Sequence, residues 1–96
     1  MSKLIRDRIP DIIKASGSTP QTHIANEEEY KAKLNEKLKE EVSEFIENST
    51  EEELADILEV ISAIIDAKNF NKDKIENLRI KKAEERGSFK KRVILD

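Results

Sequence analysis

Apolar residues return every third or fourth position through most of this chain. From Asn26, a suitable N-cap, through about Glu47 they are Tyr30, Leu34, Leu38, Val42, Phe45 and Ile46, the spacing of one face of an α-helix. The polar triplet "NST" at 48–50 breaks the run, and a second one starts at Ser49 or Thr50 and continues to about Lys68 with Leu54, Ile57, Leu58, Val60, Ile61, Ile64 and Ile65. A third, thinner run spans roughly Lys72 to Arg86 with Ile75 and Leu78, and Gly87 is its stop signal. Ahead of these, "KLIRDRIPDIIKASG" reads as a short extended piece followed by a brief helix, with Pro10 in the first turn and Gly17 just past the end. Residues 16–26 are loop by composition, and the tail "SFKKRVILD" is rich enough in β-branched residues to be extended. The expectation is a single all-α domain over residues 1–96, a helical bundle with short extended N- and C-terminal segments.

The second long run carries apolar residues on more than one face, more than the other helices of a chain this short can cover. A second copy of the chain is the expected remedy, so the bundle is expected to be completed by oligomerisation, as a homodimer or tetramer.

Composition narrows the chemistry. Charged residues are 41% of the 96, mostly Lys and Glu, and only two Gly and two Pro interrupt them, which favours helices. The net charge of −3 is too small and too mixed in sign to form the basic stripe expected of a nucleic-acid surface. Without cysteine there is no disulfide, no thiolate metal site and no thiol nucleophile, so a metal would be held by oxygen or by His23, which lies in a polar loop and reads as exposed. The start "MSKLIRDRIPDII" lacks the apolar core of a signal peptide, and no stretch is long enough to span a bilayer. A cytoplasmic protein with no membrane or nucleic-acid partner is expected.

Acids then appear where apolar residues belong. With about 100° per residue and Leu38 as zero, Leu34, Val42 and Phe45 lie within about 40°, Glu41 about 60° to one side and Glu44 about 120° round on that side, while Glu40 points away. In the next run, with Ile57 as zero, Glu53 lies about 40° and Asp56 about 100° to one side, while Glu59 points outward. Helices joined by a short loop are antiparallel neighbours, so Glu41, Glu44, Glu53 and Asp56 can meet at one level. Four carboxylates in a partly apolar pocket are costly without a counter-charge, and a divalent cation resolves this. All-oxygen ligands favour magnesium, manganese or calcium; magnesium shares its shell with substrate phosphates, and no EF-hand loop is present. Two ordinary readings stand beside this one. Glu is common on solvated helices, and "TEEE" from Thr50 fits a capping box in which Glu53 would close the helix start; with Ser49 as the cap, Glu52 takes that part instead.

"EEVSE" at 40–44 followed by "ELAD" at 53–56 resembles the E-E-x-x-E…E-x-x-D signature of the all-α nucleoside triphosphate pyrophosphohydrolases, the MazG and phosphoribosyl-ATP pyrophosphohydrolase superfamily. "KLIRDRIP" at 3–10 and "KKAEERGSFKKRVIL" at 81–95 are similar to the flanks of its small, single-domain MazG-like members, so the resemblance covers nearly the whole chain. It implies a four-helix-type MazG-like bundle built by dimerisation or higher assembly, and magnesium-dependent cleavage between the α and β phosphates to a nucleoside monophosphate and pyrophosphate. By position it implies Glu41, Glu44, Glu53 and Asp56 as catalytic metal ligands for magnesium, with manganese as an alternative. Glu40 completes the motif without an assigned role. Within the superfamily, phosphoribosyl-ATP pyrophosphohydrolase is the runner-up, and a non-catalytic helical dimerisation module is the reading from another class.

Basic residues supply candidate phosphate contacts, which charge developing on a leaving pyrophosphate needs. Arg79, Lys82 and Arg86 share one side of the last helical run, either as a phosphate-facing ridge or as a solvated face favoured by the helix dipole. Arg6 and Arg8 flank Asp7 and either reach phosphate or form surface ion pairs; Lys3 is a weaker candidate. Tyr30, Phe45 and Phe89 could stack on a base, but each reads first as core or interface.

Overall fold

The computed structural model describes residues 2–96. Among them lie α1 (Ile9–Ala15), α2 (Glu27–Glu47), α3 (Glu51–Ala67) and α4 (Lys72–Arg86), with no strand. Local chemistry sets these limits. Pro10 sits in the first turn of α1, and beyond its end Gly17 has φ +95°, a value L side chains rarely adopt. Asn26 Oδ1 accepts from the Glu29 amide at 2.9 Å, Thr50 Oγ1 from the Glu53 amide at 3.2 Å, and Asn71 Oδ1 from the Lys74 amide at 2.9 Å, so each long helix starts on a side-chain cap. Gly87 ends α4 at φ +84°. The tail forms a turn at Phe89–Arg92, where the Arg92 amide donates to the Phe89 carbonyl at 3.3 Å, and pairs with nothing as a strand. Among the described residues no helix is long and apolar enough to cross a membrane.

The chain reverses over residues 48–50, and α2 packs on α3 as an αα-hairpin. The N-terminal segment crosses one side of that hairpin. Lys33 Nζ donates to the Ser2 carbonyl at 3.0 Å, Lys3 meets Glu40 on α2 at 3.4 Å, and Arg6 reaches Asp56 on α3, with Leu4 and Ile5 half-buried between. Beneath it lie the buried apolar residues, Leu34 at 2% exposure and Val60 at 8%. With so thin a core, Leu34→Ala is expected to lower unfolding free energy by about 2–3 kcal/mol, at the lower end of the range for such truncations because the site borders a cavity. Urea denaturation with an unchanged slope is the check.

The opposite side of the hairpin is apolar and open. Measured from Ile57, Ile61, Leu54 and Leu58 stand about 40°, 60° and 100° round α3, away from Asp56 and Val60. All three are exposed, Leu58 by 61%, and Val42 and Ile46 continue the strip on α2. α4 stands off the hairpin, every residue but Ala83 exposed, Ile75, Leu78 and Ile80 among them. The chain therefore has a radius of gyration of 17.3 Å, where a compact domain of this length has about 12–13 Å. It exposes 8933 Å², against about 5,700 Å² for a folded monomer of its mass.

Candidate metal centre

Helical periodicity turns Glu41 of α2 towards α3, and the hairpin brings Glu53 and Asp56 of α3 up to it. One carboxylate oxygen from each lies within 4.8 Å of the other two. Glu41 is only 7% exposed, the one buried charged residue of those described. Its Oε1 is 3.3 Å from Lys37 Nζ, but its Oε2 is buried without a hydrogen-bond partner, as is Glu53 Oε2. Asp56 Oδ1 accepts from Arg6 Nη2 at 2.8 Å. Two buried carboxylate oxygens with no donor are an energetic anomaly, since such groups are nearly always satisfied. An all-oxygen donor set of this kind suits a hard divalent cation, magnesium or manganese, and the orphaned oxygens are where such an ion would find ligands.

Three of the four expected acids meet. Glu44 is half-buried and lies outside the group, because at about 120° from the centre of the α2 stripe it faces the edge of the hairpin instead of its seam. Glu53 settles the ambiguity at the start of α3. Thr50 is the cap, yet the box stays half closed: the Thr50 amide donates to the Asn48 carbonyl at 2.7 Å, and the Glu53 carboxylate turns inward. Ser49 Oγ donates to the Phe45 carbonyl at 3.1 Å and takes no part in capping.

Glu40 acquires a place the helical wheel did not assign. Burial disfavours its charge, but Lys37 at 3.5 Å and Lys3 at 3.4 Å outweigh that and hold its carboxyl below the usual glutamate value. Lys37, between Glu40 and Glu41, is the cation that sequence reasoning missed. Its spacing of three and four residues from two acids was the available signal.

Beside the acids, between the hairpin and the N-terminal segment, is a cavity of about 430 Å³, the size of a small-molecule site. Tyr30, Leu34 and Val60 wall its apolar end; Glu41 and Asp56 line it with Arg6, Arg8 and Lys37. Glu59, expected to point away from the site, also lines the cavity, because the N-terminal segment lies over that side of α3. Arg8 has no ion-pair partner among the described residues, so its guanidinium is available at the cavity wall.

The α4 ridge is not brought to the acids. No α4 residue lines the cavity, since α4 stands off the hairpin. Arg79 pairs with Glu76 on its own helix, its Nε 3.1 Å from the carboxylate, while Lys82 and Arg86 are exposed. His23 is exposed and pairs with Glu29 at 2.9 Å, away from the acid group. Phe45 is half-buried, and Phe89 is 98% exposed.

No family model matches the chain, and no solved structure matches it. An "Uncharacterized protein" of Mycolicibacterium smegmatis is 52% identical over 44 residues, a stretch covering 46% of this chain. That stretch spans 45% of the relative's own length, so the chain is similar to less than half of that protein.

Proposed function

We propose that this chain is a divalent-metal-dependent nucleoside triphosphate pyrophosphohydrolase of the MazG-like kind, cleaving the α–β phosphoanhydride to a monophosphate and pyrophosphate. The observation that carries it is Glu41, buried on an apolar face with one oxygen unpartnered and set against Glu53 and Asp56. A module that only associates has no physical need for such a group. Glu41, Glu53 and Asp56 would hold the ion. Magnesium or manganese so held supplies charge neutralisation of the polyphosphate and acidification of the attacking water. Lys37, with its Nζ 3.3 Å from Glu41 Oε1, orients that carboxylate. Arg8, and Arg6 beside it, offer charge-assisted donors to phosphate oxygens at the cavity wall. Tyr30, Leu34 and Val60 shelter the opposite end from water.

The reading includes self-association. About 3,000 Å² of surface beyond a folded monomer's share is open, well above the roughly 1,200–2,000 Å² a stable interface buries in total. A second copy seated on the Leu54, Leu58 and Ile61 strip covers the most apolar part of it, and is the means by which α4, with Arg79, Lys82 and Arg86, could approach a site.

The test is incubation of the purified protein with a panel of nucleoside triphosphates and magnesium, with product identification. Monophosphate plus pyrophosphate is expected. Diphosphate plus orthophosphate overturns the reaction, and no turnover with any nucleotide transfers the chain to the class of helical association modules.

A further inference from the structure

The N-terminal segment has no helix or strand of its own before α1, yet it bridges both helices of the hairpin. Two of its anchors are on α2, through Ser2 and Lys3. The anchor on α3 is Arg6, and it holds an acid of the group: Asp56, at 2.8 Å. The same carboxylate thus serves two purposes, fastening the segment and contributing to a cluster whose Glu41 is nine-tenths buried with an oxygen left unpartnered.

We propose that Arg6 is a clasp opened by the metal: in the metal-free protein its guanidinium stands in as counter-ion to Asp56 and pins the N-terminal segment across the cavity, and a divalent cation entering between Glu41, Glu53 and Asp56 releases it. This rests on the metal reading above. The two cations are antagonists whichever oxygen of Asp56 the metal takes. Metal on either oxygen of Asp56 draws carboxylate charge away from the hydrogen bond and sets a singly charged guanidinium close to a doubly charged ion, and like charges repel. Lys37 does not compete in the same way, because it can retreat onto Glu40 without moving the backbone. Arg6 has no second acid partner among the described residues, so its release frees the α3 end of the segment, and the cavity loses part of its cover when metal is bound. Metal occupancy and entry of a polyphosphate are thereby linked.

The effect is modest because Arg6 is 59% and Asp56 40% exposed, and water screens the pair. In nucleotide-free calorimetry with Mn²⁺, Arg6→Ala is expected to bind about two- to fivefold more tightly than wild type, with Arg6→Lys between them. Lys31→Ala, which removes the same charge from an α2 residue paired with Glu27, is expected to match wild type. Backbone amide heteronuclear NOEs of residues 2–8 are expected to fall when Mg²⁺ is added to wild type, and to be low in Arg6→Ala before any metal is added. Equal or weaker Mn²⁺ binding by Arg6→Ala, or a segment that Mg²⁺ does not loosen, overturns the clasp and leaves the metal site standing. No uptake by any of the four proteins overturns the metal site and the clasp together.

Discussion

Glu41→Met is expected to be more stable than the native chain and to bind no divalent cation. Glu41 occupies a position on α2 that is apolar by periodicity and 93% buried by structure, and one of its two oxygens has no donor. A buried carboxylate left half satisfied destabilises the fold, and replacing it by an apolar side chain of similar length removes that penalty while filling the same space. Lys37 keeps Glu40 as a partner at 3.5 Å, so the substitution strands no cation. A gain of about 1 kcal/mol is expected, a rise of roughly 4–8 °C in melting temperature for a domain of this size. Magnesium and manganese, which should raise the melting temperature of the native protein by binding its folded state, should leave that of Glu41→Met unchanged. The affinity loss should exceed the roughly 10- to 100-fold that removal of a group merely supporting a ligand causes, and turnover should go with it. Thermal melts with and without metal, beside calorimetry, give both numbers. A variant that melts lower, or still binds manganese, would show that Glu41 is an ordinary ion-paired residue of the hairpin.

Leu58→Lys is expected to make the second large change, in association instead of chemistry. Leu58 is 61% exposed at the middle of the open strip on α3, about 100° from the hairpin seam and on the side opposite Asp56. A charge there adds nothing to strain within one chain but must be desolvated when a second copy docks. The dissociation constant of the assembly should rise by about 30-fold or more, the scale of a central interface residue. Sedimentation at several concentrations reads it directly, and circular dichroism should show α2 and α3 still formed in the monomer. A native protein that sediments as a monomer at every concentration would remove the second copy from the proposal.

The two substitutions separate two demands that meet on one hairpin. Glu41 lies on the side closed by the N-terminal segment, Leu58 on the side that no described residue closes. Stability and the proposed association ask for apolar residues on both sides; the proposed chemistry asks for acid on one. Such a local conflict between periodicity and residue type is what a functional site looks like in a sequence.

The amino-acid sequence by itself determined the helices and their ends, because those depend on groups three or four residues apart. Asn26 and Gly87 cap or stop helices through their own side chain or φ, while the choice between Ser49 and Thr50 was left to the structure; the 100° step turned Glu41, Glu44, Glu53 and Asp56 inward before any packing was known, and three of them meet. It also marked α3 as having one apolar face too many, and the structure leaves that face open. Only the tertiary structure decided what depends on residues far apart in the chain. Glu44 fell outside the acid group and Glu59 came to the cavity because the axis of approach of α2, α3 and the N-terminal segment, not periodicity, sets which edge of a helix is covered. The pairing of Arg6 with Asp56, fifty residues apart, and the stand-off of α4 with its basic ridge carry no local signature at all. Side-chain direction repeats along a helix and can be counted, whereas the meeting of two segments is a balance of many weak contacts against chain entropy, which no short stretch of residues contains.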